Sequence, residues 1–111
     1  MSRDKDSLLD IINAARQILR YTSEISWREF LAAPEKQDAV LYRILVMGEA
    51  TKRLSADFRS QYPEVQWRQI AAMRDVIAHK YDQLDLAVVR DVVENKIPAL
   101  LPQLEAIFNS L

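Results

Sequence analysis

One segment of the chain combines side chains that can move a proton and hold an anion. In Met73-Arg74-Asp75-Val76-Ile77-Ala78-His79-Lys80-Tyr81, the only histidine of the 111 residues follows an arginine by five positions. Histidine changes charge near neutral pH, and arginine is a permanent cation that binds phosphate in a bidentate manner. Proton transfer by His79 with charge stabilisation by Arg74 is the chemistry that metal-independent RNA cleavage requires.

The spacing within this segment decides which side chains can act together. On a regular helix, residues five apart point roughly 140° away from each other, so Arg74 and His79 do not share a face. Arg74 and Tyr81, seven positions apart, do share one. A second copy of the segment across a two-fold axis would assemble a complete site, and the sequence therefore predicts a homodimer.

Asp75 is the candidate supporting residue of this site. It precedes His79 by four positions, so its carboxylate can hydrogen-bond the ring, fix the tautomer and favour the protonated form. It can equally belong to a salt-bridge pattern on a solvated helix face, and the sequence leaves both interpretations open. A histidine near a helix end is also commonly a solvated or capping side chain, so the spacing alone does not establish catalysis.

Composition restricts the remaining chemistry. A length of 111 residues fits one domain, which we assign to 1–111. Cysteine is absent and histidine occurs once, which argues against thiolate catalysis and zinc sites and leaves only an all-carboxylate metal site open. Our expectation for this chain is no metal and no cofactor. No apolar run approaches the ~20 residues that span a bilayer, and the N-terminus lacks the order of a signal peptide. These features predict a cytoplasmic protein without membrane contact.

The charge balance limits how RNA could bind. Fifteen basic and sixteen acidic residues give a net charge of −1, so no global positive field attracts a polyanion. Any RNA contact must be local, and the basic candidates near the segment in sequence or on neighbouring helices are Lys52, Arg53, Lys80 and Arg90.

The rest of the chain reads as helix. It holds one glycine and four prolines, and it lacks the alternating β-branched and aromatic pattern of strands. Apolar residues recur with helical spacing, which predicts an all-α fold, an antiparallel bundle of four to five helices. The predicted helices cover about 4–23, 27–31, 34–58, 66–80 and 86–107.

Local signals refine these helices. Ser26 and Glu29 have the spacing of a capping box, and Asp85 is a candidate N-cap. Pro98 and Pro102 fall inside the last predicted helix and should kink or interrupt it, because each removes a backbone donor.

The third helix carries the widest buried stripe, which predicts that it is central in the bundle. Gly48 lies within this stripe and costs roughly 1 kcal/mol relative to alanine, so we expect a neighbouring helix or a ligand to come close there. Glu49 beside it either reaches the active groove or is an ordinary surface glutamate.

Two separated motifs resemble one family. The run from Arg74 to Tyr81, with arginine, four residues, histidine, any residue and tyrosine, resembles the signature of HEPN domains, and specifically of the HepT toxin family. Residues 46–55 (VMGEATKRLS) resemble that family's central helix, and 81–85 (YDQLD) resemble its continuation. The resemblance covers essentially the whole chain.

This resemblance implies a HEPN-like, homodimeric ribonuclease toxin of a type II toxin–antitoxin pair. Such proteins cut RNA, tRNA in some members, without metal and at a composite site. Their partner is a minimal nucleotidyltransferase (MNT) antitoxin, which in some systems attaches AMP to the motif tyrosine. Carried over to this chain, Arg74 and His79 are the catalytic pair and Tyr81 is the AMPylation acceptor.

Two alternatives use the same bundle. The first is a catalytically inactive HEPN binding module that holds a nucleotidyltransferase partner or a nucleotide. The second is a helical dimerisation domain, which accounts for the core but leaves Arg74, His79 and Tyr81 without a role.

Overall fold

The computed structural model describes residues 3–80 and 85–111, with side chains described for 3–75 and 85–111. All regular structure in these ranges is helical, which confirms the all-α prediction. No helix of the described ranges is long and apolar enough to cross a membrane. The elements are α1 (Arg3–Thr22), α2 (Trp27–Leu31), α3 (Pro34–Arg53), α4 (Ala56–Gln61), α5 (Trp67–Lys80), α6 (Leu86–Asp91), a π-helical segment (Val92–Lys96) and α7 (Ile97–Ser110).

Helix α3 lies at the centre, because it packs against α1, α5 and α2. Its predicted apolar stripe is buried apart from the partly buried Leu45, and α1 contributes a matching stripe between Ser7 and Ile18. The residues of these two helices that are at most 1% exposed are Leu8, Ile11, Ile12, Ala14, Ala15, Ile18, Val40, Ile44, Met47, Ala50 and Thr51.

The predicted capping signals are confirmed. At the start of α2, the Ser26 hydroxyl accepts a hydrogen bond from the Glu29 amide at 3.0 Å, and the Glu29 carboxylate accepts one from the Ser26 amide at 3.0 Å. Hydrogen bonding of its carboxylate to Ser26, above all to the backbone amide, lowers the pKa of Glu29. The Asp85 carboxylate accepts from the Ala87 amide at 2.8 Å and caps α6.

The prediction of one helix from 34 to 58 is wrong. Helix α3 ends at Arg53, because Leu54 is extended with φ −64° and ψ 139°. Ser55 then begins α4 by accepting a hydrogen bond from the Phe58 amide at 3.1 Å. The Asp4 carboxylate accepts from the Ser55 amide at 2.8 Å and from its hydroxyl at 2.7 Å, which ties this break to the start of α1.

The last predicted helix is helical from Leu86 to Ser110 but changes its winding. The π-helical segment ends where the Ile97 amide donates to the Val92 carbonyl, and Pro98 follows as the second residue of α7. The predicted interruption therefore occurs next to Pro98, which has no amide to continue the pattern. Pro102 lies inside α7 and does not end it.

Candidate active site

The contact between α3 and α5 fixes the position of Arg74. A Cβ atom placed on Gly48 would lie 2.0 Å from the Arg74 Cβ and 3.2 Å from its Cα. Real Cβ atoms do not approach that closely, so any larger residue at position 48 would push the two helices apart. The prediction that a neighbouring helix comes close at Gly48 is confirmed, and that helix is the one that carries Arg74.

Glu49, the next residue of α3, contacts the same arginine. Its Oε1 accepts a hydrogen bond from Arg74 Nε at 2.5 Å, and the Asp75 Oδ1 accepts one from Arg74 Nη1 at 3.3 Å. The Arg74 side chain remains 28% exposed, so it is held in place yet accessible to a ligand. Of the two interpretations of Glu49, the structure therefore favours the one that brings it to the arginine.

Lys52 extends this arrangement by one helical turn along α3. Its Nζ donates to Asp75 Oδ1 at 2.8 Å. The side chains of Glu49, Arg74, Asp75 and Lys52 thus alternate in sign across the α3–α5 contact, and we call them the four-charge cluster. Its two acidic and two basic members balance one another.

Hydrogen bonding in the four-charge cluster favours the ionised forms of Arg74 and Asp75. The bond to Glu49 raises the pKa of Arg74, with a further contribution from Asp75. The bond from Lys52 lowers the pKa of Asp75, and Arg74 lowers it further. Both shifts follow from opposite charges in direct contact.

A groove borders α5 beside the α3–α5 contact. This groove has a volume of about 430 Å³ and separates α5 from the π-helical segment and α7, with Ile70, Met73 and Leu100 among its lining residues. Among the described residues, α5 packs mainly on α3. The α3–α5 contact is therefore the principal determinant of where Arg74 lies.

Comparison with known proteins assigns the chain to a family. The family model described as ribonuclease HepT-like matches residues 11–107. The chain belongs to the HepT-like ribonuclease family. The assignment confirms the resemblance seen in the motifs and the predicted enzyme class, an endoribonuclease.

Relatives of this HepT-like ribonuclease match it along nearly its whole length. A protein of Thermococcus cleftensis named as a probable ribonuclease HepT is 38% identical over 101 residues, covering 91% of this chain and 92% of its own. A protein of Methanocaldococcus jannaschii named as a candidate RNase is 34% identical over 104 residues, covering 94% and 86%. No solved structure matches the chain significantly.

The remaining predicted site residues of this HepT-like ribonuclease are placed only in part. His79 belongs to the last turn of α5, and its side chain lies outside the described residues. Tyr81, the predicted AMPylation acceptor, also lies outside them. The described partners of Asp75 are Lys52 and Arg74, whereas its predicted contact with the His79 ring stays a prediction.

The basic side chains proposed to attract RNA have carboxylate partners wherever they are described. Besides the Lys52–Asp75 pair, Arg53 Nη2 lies 3.2 Å from Asp10 Oδ2, and Arg90 Nε lies 3.1 Å from Glu94 Oε1. Lys80 lies outside the described side chains. The local positive potential predicted from these residues is therefore offset by nearby acids, and Arg74 is likewise paired with Glu49 and Asp75.

Two members of the four-charge cluster were not assigned roles from sequence. The sequence leaves two interpretations of Glu49 open and predicts for Lys52 only a contribution to the local positive charge. The available signal was their spacing from Gly48: Glu49 follows it directly, and Lys52 follows it by four positions, on the side of α3 where α5 comes closest.

Proposed function

We propose that this protein is a metal-independent endoribonuclease toxin of a type II toxin–antitoxin system, active as a cytoplasmic homodimer. The observation that carries the proposal is the setting of Arg74. Its backbone contacts Gly48, its guanidinium is held by Glu49, and its side chain is still 28% exposed. An arginine that is ordered and accessible suits the binding of an RNA phosphate.

In the proposed reaction, the ribose 2′-oxygen attacks the neighbouring phosphorus and the 5′-oxygen leaves. His79 takes the proton from the 2′-hydroxyl or gives one to the leaving oxygen. Arg74 stabilises the negative charge that develops on the phosphorane oxygens. Neither step needs a cofactor.

The helical path of α5 supports a site shared between two chains. The backbone is helical through Lys80, so residues 74 and 79 project roughly 140° apart on the same helix. In a two-fold dimer, Arg74 of one subunit can face the same phosphate as His79 of the other. Dimerisation is then a requirement for catalysis.

The proposed partner is a nucleotidyltransferase antitoxin of the MNT family. It would transfer AMP from ATP to Tyr81: the tyrosine oxygen bonds to the α-phosphorus, and pyrophosphate leaves. Tyr81 follows Arg74 by seven positions, so a helical continuation would place the adduct on the arginine's face. The added phosphate would then occupy the position of the RNA phosphate.

Cleavage of RNA by purified protein tests the catalytic part of the proposal. Wild-type protein should cleave total RNA or a tRNA pool in the presence of a metal chelator, whereas His79→Ala and Arg74→Ala should stay folded and lose cleavage. Full activity in the His79→Ala variant would contradict the proposal. An inert wild-type protein that still binds the nucleotidyltransferase would favour the inactive binding module instead.

Incubation with the partner and ATP tests the regulatory part. We expect loss of cleavage together with an added AMP mass on Tyr81, and a Tyr81→Phe variant should remain active under the same conditions. Inhibition of Tyr81→Phe to the same extent as wild type would show that the antitoxin acts by another route.

A further inference from the structure

We propose that Glu49 is a positioning residue for Arg74: its carboxylate fixes the orientation of the guanidinium that receives the RNA phosphate. This inference rests on the proposed function, in which Arg74 binds that phosphate. It adds a residue of the central helix α3 to a site that otherwise consists of residues from α5 and its continuation.

The backbone position from which the Arg74 side chain extends is fixed. Because Gly48 lets the Arg74 backbone lie directly against α3, the Arg74 Cα and Cβ cannot shift toward that helix. The remaining freedom lies in the torsions of the long side chain, and arginine loses substantial entropy when these are fixed. A contact that orders them before substrate binds lowers the cost of forming the reactive complex.

The atom that Glu49 contacts determines how it restrains the guanidinium. Its Oε1 accepts from Nε, the nitrogen that joins the guanidinium to the stem, so the bond restrains rotation of the whole plane. Asp75 holds Nη1 from the arginine's own helix. Contacts from two different helices at two nitrogens define the orientation of a planar group, whereas either contact alone restrains it only in part.

The negative charge of Glu49 acts against RNA binding. A carboxylate 2.5 Å from the arginine opposes the approach of an anionic phosphate, so Glu49 cannot serve to strengthen RNA binding. Its benefit must be geometric and must show in the chemical step. Removal of Glu49 is therefore expected to lower kcat while leaving the apparent KM for RNA unchanged or lower, a split that loss of a simple substrate contact would not give.

The test compares Glu49 with a matched ion pair elsewhere. Glu105 Oε2 lies 2.5 Å from Arg16 Nη2, joins α7 to α1, and is 36% exposed against 46% for Glu49. Substitution of Glu105 by alanine or glutamine removes the same charge from a pair of the same length that joins two other helices. Each variant is assayed on a tRNA pool, with folding and dimer state checked by circular dichroism and light scattering.

We expect Glu49→Ala to lower kcat about 10- to 100-fold without raising the apparent KM. Glu49→Gln should recover most of this loss, because the amide oxygen still accepts from Nε. Glu105→Ala and Glu105→Gln should keep wild-type kcat. If Glu49→Ala fails to fold, the comparison of Glu49→Gln with Glu49→Asp carries the test. The shorter aspartate should lose more activity than the isosteric glutamine.

A double substitution shows whether Glu49 acts through Arg74. In an Arg74→Lys background the Nε donor is gone, so Glu49→Ala should cause no further loss of kcat. A wild-type kcat for Glu49→Ala, or an equal loss in the Arg74→Lys background, overturns the inference while leaving the proposed function intact. Wild-type protein with no more cleavage than His79→Ala overturns both.

Discussion

Helix α3 packs against α1 and against α5, and the two contacts have different chemistry. The α1 side is lined by residues such as Leu8, Ile11 and Ile18, which are completely buried. The α5 side centres on Gly48, which has no side chain, and on the partly exposed four-charge cluster around Arg74. One helix therefore provides both the core of the fold and the support of the site.

The α1–α3 contact chiefly determines the stability of the fold, whereas the α3–α5 contact determines the position of Arg74. Burial of apolar surface stabilises the α1–α3 contact in proportion to area and does not depend on one atom pair. The α3–α5 contact includes a close approach at Gly48 and hydrogen bonds to identified nitrogens of Arg74. We expect substitutions in the first region to change the free energy of unfolding and those in the second to change catalysis.

The largest expected effect on stability comes from the α1 side. Ile12→Ala removes a side chain that is 1% exposed and should lower the free energy of unfolding by about 2–5 kcal/mol. The kcat of the protein that remains folded should not change, because Ile12 is remote from Arg74 in the contacts described. Denaturant unfolding and cleavage assays at low temperature measure both quantities. A loss of kcat larger than the unfolded fraction explains would show that the α1 side also affects catalysis.

Gly48→Ala tests the α5 side. Helix propensity alone would raise the free energy of unfolding by about 1 kcal/mol. The clash with the Arg74 Cβ should instead lower it by about 1–3 kcal/mol. Displacement of Arg74 should also reduce kcat roughly 100-fold. A variant more stable than wild type and fully active would show that α3 and α5 are farther apart than described.

The smallest expected effect concerns the titration of Asp75. Lys52→Met removes the hydrogen bond that contributes most to lowering the pKa of Asp75, so that pKa should rise toward its ordinary value. A carboxyl group whose pKa is lowered by folding stabilises the fold at pH values above its ordinary pKa. This contribution disappears as the pH falls through the lowered pKa. The stability difference between wild type and variant should therefore be present at neutral pH, decline once the pH falls below about 4, and vanish below the lowered pKa of Asp75.

Carboxyl-carbon NMR titration of Asp75 in the two proteins measures that shift directly. An unchanged pKa in Lys52→Met would mean that the cross-helix pair does not persist in solution, and the four-charge cluster would then reduce to Arg74 and its carboxylate neighbours.

Local signals made much of the fold predictable. The capping box at Ser26 and the N-cap at Asp85 depend only on nearby residues, so their hydrogen bonds could be expected from spacing. Gly48 was informative because a glycine in a buried stripe has few explanations other than close packing. The end of α3 was missed, since Leu54 and Phe58 continue the apolar period across a break that Ser55 and Asp4 stabilise through a long-range contact.

The site was less predictable for a related reason. Which side chains of α3 meet Arg74 depends on how α3 and α5 cross, and no helical period encodes that crossing. The motif therefore identified Arg74, while Glu49 and Lys52 became part of the site only through their contacts with α5. Asp75 was recognised as a supporting residue; its described partners are Lys52 and Arg74, and its predicted contact with His79 lies outside the described side chains.

Mixing two inactive variants tests the central claim, a site shared between chains, most directly. Arg74→Ala and His79→Ala proteins are each inactive in the proposed mechanism, and a mixed dimer restores one complete pairing of Arg74 with the partner subunit's His79. After subunit exchange, cleavage should recover to about a quarter of wild type, since half of the dimers are mixed and each has one intact site. Continued inactivity of the mixture, with mixed dimers shown to form, would contradict the account.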